Sequence, residues 1–258
     1  QLDIGNHSRK QYDYGYPFGL DWQSAYVHSH WYSCAATQIA INAGNNQTAV
    51  AGAAVATAPS VIVRDANNNP VAGQTVTFAV ATGGGTITGA TATTNPQGIA
   101  TLGSWTLGTT AGSNTLTATS GSLTGSPLTF TATGTAGAAT QIAINAGNNQ
   151  TAVAGAAVAT APSVIVRDAN NNPVSGETVT FAVATGGGTI TGATATTNAQ
   201  GIATLTSWTL GTTAGSNTLT ATRAGLTGSP LTFTATGTPG AATQIAINAG
   251  NNQTAVAG

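Results

Sequence analysis

Residues 36–138 and 139–241 spell nearly the same 103-residue text twice, aligned without a gap. The copies differ at eight positions: Ala72/Ser175, Gln74/Glu177, Pro96/Ala199, Gly103/Thr206, Ser120/Arg223, Gly121/Ala224, Ser122/Gly225 and Ala136/Pro239. A period this long exceeds the roughly 20–50 residues of a solenoid unit and is that of a whole domain. The chain therefore reads as domains in tandem: 36–138, then 139–241. Residues 242–258 copy Ala36–Gly52 and Ala139–Gly155 and read as the first strand of an incomplete third repeat, with Ile245 and Ile247 as its inward pair. That orphan strand fits either a cut from a longer array or a strand that completes a sandwich in another chain.

Inside a repeat the hydrophobic period is two throughout, which is the period of a strand with one buried face. "QTVTFAVAT" sets Val76, Phe78 and Val80 against Thr75, Thr77 and Ala79; "NTLTAT" and "PLTFTAT" repeat the scheme with Leu116, Ala118, Leu128, Phe130 and Ala132. Between the runs stand "ANNNPVAG", "TGGG", "NPQG" and "TTAGSN", rich in the Asx, Pro and Gly of turns. About seven short strands in such a length predict an all-β fold of tandem immunoglobulin-like β-sandwiches. Phe78, Phe130 and Trp105, with their copies Phe181, Phe233 and Trp208, are the expected core anchors. Parity breaks once: Ala100 and Leu102 share a face that Trp105 and Leu107 do not. A bulge near Gly103–Ser104 would turn all four inward. The alternative for Trp105 is an exposed, sugar-stacking ring.

Charged residues make up 4% of the chain and the net charge is −1. Nucleic acid requires clustered cations, so no nucleic-acid partner is expected. No apolar run approaches the ~18 residues of a membrane span. A salt-insensitive, uncharged polar surface suits life outside the cell. Cys34 is the sole cysteine, so no internal disulfide forms.

"VIVRDANNNPVAGQTVTFAV", "ATTNPQGIATL" and "TAGSNTLTAT" resemble the signature of bacterial immunoglobulin-like domains of group 1, the tandem domains of invasin- and intimin-type surface proteins. The resemblance spans both repeats and the opening of the third. It implies a sandwich in an extracellular stalk or adhesin, with no catalytic residue and no cofactor.

Few residues offer chemistry. Asp65, Asn67 and Asn69, with Asp168, Asn170 and Asn172, resemble the opening of a calcium loop. The sixth position is Pro70 rather than Gly and the twelfth Val76 rather than Glu, so an Asx turn capping backbone amides is the stronger reading. "TGGGT" at Thr82–Thr86 has no following helix and no Lys, so it is no phosphate loop. Neither repeat holds His, Cys or Lys, which removes nucleophile–base pairs and points away from an enzyme. Alternate outward Thr residues could bind ice, carry glycans or simply keep an uncharged sheet wet. Residues 1–35 are aromatic-rich; His28, His30 and Cys34 have a weak metal-ligand flavour without a fourth ligand, and the segment reads also as an aromatic docking segment or the tail of an upstream domain.

The expectation for function is a non-enzymatic extracellular structural or adhesin-type protein at a bacterial surface. It would be a stalk, or a filament subunit joined by strand exchange through residues 242–258. A carbohydrate- or receptor-binding module is the alternative. The expected partners are other copies of the chain, or a host or cell-surface glycan or protein.

Overall fold

The structure, a computed structural model, describes residues 35–256 and 258. The aromatic N-terminal segment, with His28, His30 and Cys34, lies outside the described residues. Every regular element among those described is a strand. Repeat 1 contains β1 (Gln38–Ala43), β2 (Gln47–Val50), β3 (Ser60–Arg64), β4 (Thr75–Thr82), β5 (Thr86–Thr88), β6 (Thr91–Thr93), β7 (Ile99–Thr101), β8 (Ser104–Thr106), β9 (Gly112–Thr119) and β10 (Leu128–Thr135). Repeat 2 follows with β11 (Ala139–Ala146), β12 (Gln150–Val153), β13 (Ser163–Asp168), β14 (Thr178–Thr185), β15 (Thr189–Thr191), β16 (Thr194–Thr196), β17 (Ile202–Thr204), β18 (Ser207–Thr209), β19 (Gly215–Thr222) and β20 (Leu231–Thr238). The sandwich is thus divided more finely than seven strands, because turns interrupt several expected runs after three or four residues.

Each repeat packs a three-stranded sheet, β1-β3-β7, against a five-stranded sheet, β2-β10-β9-β4-β6, with β5 and β8 as a two-stranded ribbon; repeat 2 copies this order. The inward faces carry the alternating apolar residues. Phe78 and Phe130 meet at 6.5 Å between ring centroids, tilted by 49°, and Phe181 and Phe233 do the same at 6.5 Å and 47°. Trp105 and Trp208 are wholly buried, as an apolar face built from small residues requires of its large fillers. Each sandwich has its own core.

The opening strand is shared between the two sheets. β1 runs antiparallel to β3, and β2 runs parallel to β10. The chain bends between them at Gly44, φ +83°, where a Cβ would sit 2.7 Å from the Pro59 Cα; glycine is the residue that fits. Side chains then fix the bend. Gln47 Nε2 donates to the Gly44 and Thr57 carbonyls at 2.8 and 2.7 Å, and Asn45 Oδ1 accepts from Thr131 N at 2.8 Å.

The parity break has a different cause from the expected bulge. β7 pairs with β3 in the three-stranded sheet, whereas β8 pairs with β5 in the ribbon. Leu102 and Gly103 carry the chain from one to the other: Leu102 N bonds the Pro59 carbonyl at 2.9 Å and Gly103 N the Thr88 carbonyl at 3.0 Å. A change of sheet resets which parity faces inward, so Ala100, Leu102, Trp105 and Leu107 are all buried.

Outward Thr residues fall into cross-strand pairs: Thr77 lies opposite Thr119 and Thr91, and Thr117 opposite Thr129. The described residues of 242–258 form no strand; Ile245 and Ile247 are 101% and 71% exposed. A β1–β2 text needs a β3 and a β10 to pair with, and no such free partner lies beside it. The bend nevertheless persists: φ at Gly250 and Asn252 is 83° and 55°, against 83° and 54° at Gly44 and Asn46.

Candidate functional site: the joint between the repeats

Residues 35–258 form one compact unit, and the contact between its two sandwiches is made by the loop that resembled a calcium site. Asp168 ends β13 and is buried, 2% exposed. Its Oδ1 accepts from the amides of Asn170 and Asn172, both at 2.8 Å, which closes the Asx turn. Its Oδ2 accepts from Asn172 Nδ2 at 3.0 Å and, across the joint, from the linker amide of Gly137 at 2.8 Å. Asn172 in turn reaches into repeat 1. Its Oδ1 accepts from Ala111 N at 2.7 Å, and its Nδ2 donates to the Thr109 carbonyl at 2.9 Å. One side chain thus satisfies a donor and an acceptor of the β8–β9 turn, while its neighbour holds the linker.

Burial raises the Asp168 proton affinity, but the hydrogen bonds from Asn172, Gly137 and Asn170 outweigh it and hold the carboxyl below its ordinary value of 3.8. The anion is the form the joint needs, because only it accepts from all four donors. In repeat 1 the same turn is built: Asp65 Oδ1 accepts from Asn67 N and Asn69 N at 2.9 and 2.8 Å, and Oδ2 from Asn69 Nδ2 at 3.0 Å. Asn69 is exposed there, whereas Asn172 is 4% exposed beneath repeat 1.

In both copies N–H groups point at the carboxylate. The side chains of Asp65, Asn69, Asp168 and Asn172 build the turns and the clamp, and Asn67 and Asn170 take part through their backbone amides. The sugar-stacking alternative for Trp105 and Trp208 fails for a plainer reason: neither indole reaches the surface, each being 0% exposed. Among the described residues their Nε1 atoms have no hydrogen-bond partner.

Beside the clamp lies a cleft of about 510 Å³, lined among others by Ala111, Ala136, Pro173, Ser175 and Ala199. Three of the eight positions at which the repeats differ, Ala136, Ser175 and Ala199, are here. Sequence reasoning missed the role of Asn172. The partners lie 61 and 63 residues away in the chain, and no local pattern marks an Asx loop as facing a neighbouring domain.

No helix among the described residues is long and apolar enough to cross a membrane. Among solved structures, the chain is similar to InvD of Yersinia pseudotuberculosis, with 23% identity and a TM-score of 0.47 over 81% of this chain and 60% of that one. It is also similar to the Escherichia coli adhesin FdeC, with 18% identity and a TM-score of 0.46 over 79% and 66%. The chain thus spans 60% and 66% of those two structures' lengths. Curated proteins yield no match. The family model of the bacterial Ig-like domain (group 1) matches residues 38–133 and again 141–236. The matched stretches are the two sandwiches themselves, so the chain belongs to the bacterial Ig-like domain (group 1) family, in two consecutive copies.

Proposed function

We propose that the chain is a length of non-enzymatic extracellular stalk from a bacterial surface adhesin, in which each sandwich acts as a spacer. The joint carries this reading. A spacer must fix the direction of one domain relative to the next, and the Asp168–Asn172 loop does so with three hydrogen bonds to repeat 1 and its linker. Family membership and a surface with few charges support an exported array. Within the two repeats both indoles are buried, so neither offers the aromatic platform that a sugar-binding module would use. Proteinase treatment of intact cells that make the protein tests the location: cleavage of the repeats is expected, and full protection would overturn it.

The finer form of the proposal concerns assembly. Residues 242–258 carry the β1–β2 text with its bend in place and two exposed isoleucines. Such a segment can replace the identical strand in a sandwich of another chain, which would make it the joint of a filament. Negative-stain imaging at high concentration is the test. Filaments that disappear on deletion of 242–258 are expected, and monomers throughout would leave the stalk without the polymer.

A further inference from the structure

We infer that the far end of repeat 2 is a docking face for the Asp-x-x-x-Asn loop of another repeat of this same sequence. The face consists of the Thr212 carbonyl, the Ala214 amide and the Gly240 amide. These match Thr109, Ala111 and Gly137, the three groups that Asn172 and Asp168 hold at the existing joint. The turn itself is identical in the two repeats, "GTTAGSN" at 108–114 and at 211–217.

Exposure shows which of the two faces is covered. Ala111, Ala136 and Gly137 are half-buried at the joint, while Ala214, Pro239 and Gly240 are exposed. The occupant is fixed by the chain that leaves this face. Residues 242–258 repeat the text of β11 and β12, the strands that lead from the existing joint into the sandwich carrying Asp168 and Asn172. Their bend matches that of the folded copies within a degree or so. A sandwich built on that segment has its Asp-x-x-x-Asn loop brought to Thr212, Ala214 and Gly240 by the same connection that places Asp168 and Asn172. The joint is therefore directional: the loop end of one repeat meets the turn end of the one before it. Whether the array stands on a cell surface does not enter this inference, so the stalk reading and the docking face can fail separately.

The two faces differ by one nearby residue, Ala136 against Pro239, which supplies a test in the chain as it stands. Ala136→Pro gives the existing joint the far face's own linker residue. Amide hydrogen exchange at Ala111 and Gly137 should stay within about twofold of the parent. Loss of protection, while the amides of β19 and β20 stay protected, would show that a face with Pro at this place does not dock and would overturn the inference. The second arm lengthens the chain after Gly258 with the sequence of residues 156–241, completing a third repeat. Exchange at Ala214 and Gly240 should then slow about tenfold, as the gain of a hydrogen bond of ordinary net strength gives. Replacing the added repeat's clamp asparagine by alanine should reverse it at Ala214. A folded third repeat with Ala214 and Gly240 still exchanging fast would sink the proposal.

Discussion

Asn172 and Asn69 are the same residue in the same turn, yet they carry different loads. Asn172 adds two bonds to repeat 1 beyond those it makes within its own loop, whereas Asn69 bonds Asp65. A net hydrogen bond contributes about 0.5–1.5 kcal/mol. Asn172→Ala should therefore destabilise the chain by about 1–3 kcal/mol and Asn69→Ala by about 1 kcal/mol or less, as read from urea denaturation of the full chain. Asp168 adds a pH dependence. Its folded carboxyl titrates below the ordinary value of 3.8, so the native state binds fewer protons there than the unfolded chain. The stabilisation is complete above that value and is lost as pH falls below it toward the folded value. Thermal melting between pH 2 and 6 should show this decline in the parent, and a shallower one in Asp168→Asn, whose side chain does not titrate.

At the scale of strands, alternation made most of the fold legible. Val76, Phe78, Leu116 and Phe130 point inward as period two requires, and all are buried. Period two is a local property, which is also where it stopped. The passage of the chain from β7 to β8 depends on two different partner strands, and the sequence around Gly103 does not name them. The Asx turn was legible for the same local reason, and its contact with the other repeat was not. Trp105 offers a test of the core. Trp105→Ala should cost about 3–5 kcal/mol. Trp105→Phe should cost under about 2 kcal/mol, because it also removes a buried N–H without a partner, itself a burden of about 1–3 kcal/mol. Equilibrium unfolding of both variants checks the ordering. Arg223 and Glu177 form an ion pair at 2.6 Å where repeat 1 has Ser120 and Gln74. The Arg223 side chain is 38% exposed, so Glu177→Gln should change stability by less than about 1 kcal/mol, and by less still in high salt.

For the whole molecule the important fact is that each sandwich buries its own core. The joint rests on a few hydrogen bonds and small residues. Stretching the chain from its ends should then give two unfolding events of nearly equal contour length, each of about 103 residues at roughly 3.5 Å per residue. A single merged event in force spectroscopy would contradict this independence. The split opening strand sets how those events begin. β2, near the start of a repeat, lies parallel to β10, its last strand. Tension applied to the two ends of a repeat pulls these strands along their length in opposite directions. The bonds between them are loaded together, in shear, and cannot open one at a time like a zipper. The same four residues that look like a minor edge of the five-stranded sheet are thus the mechanical lock of each bead on the string.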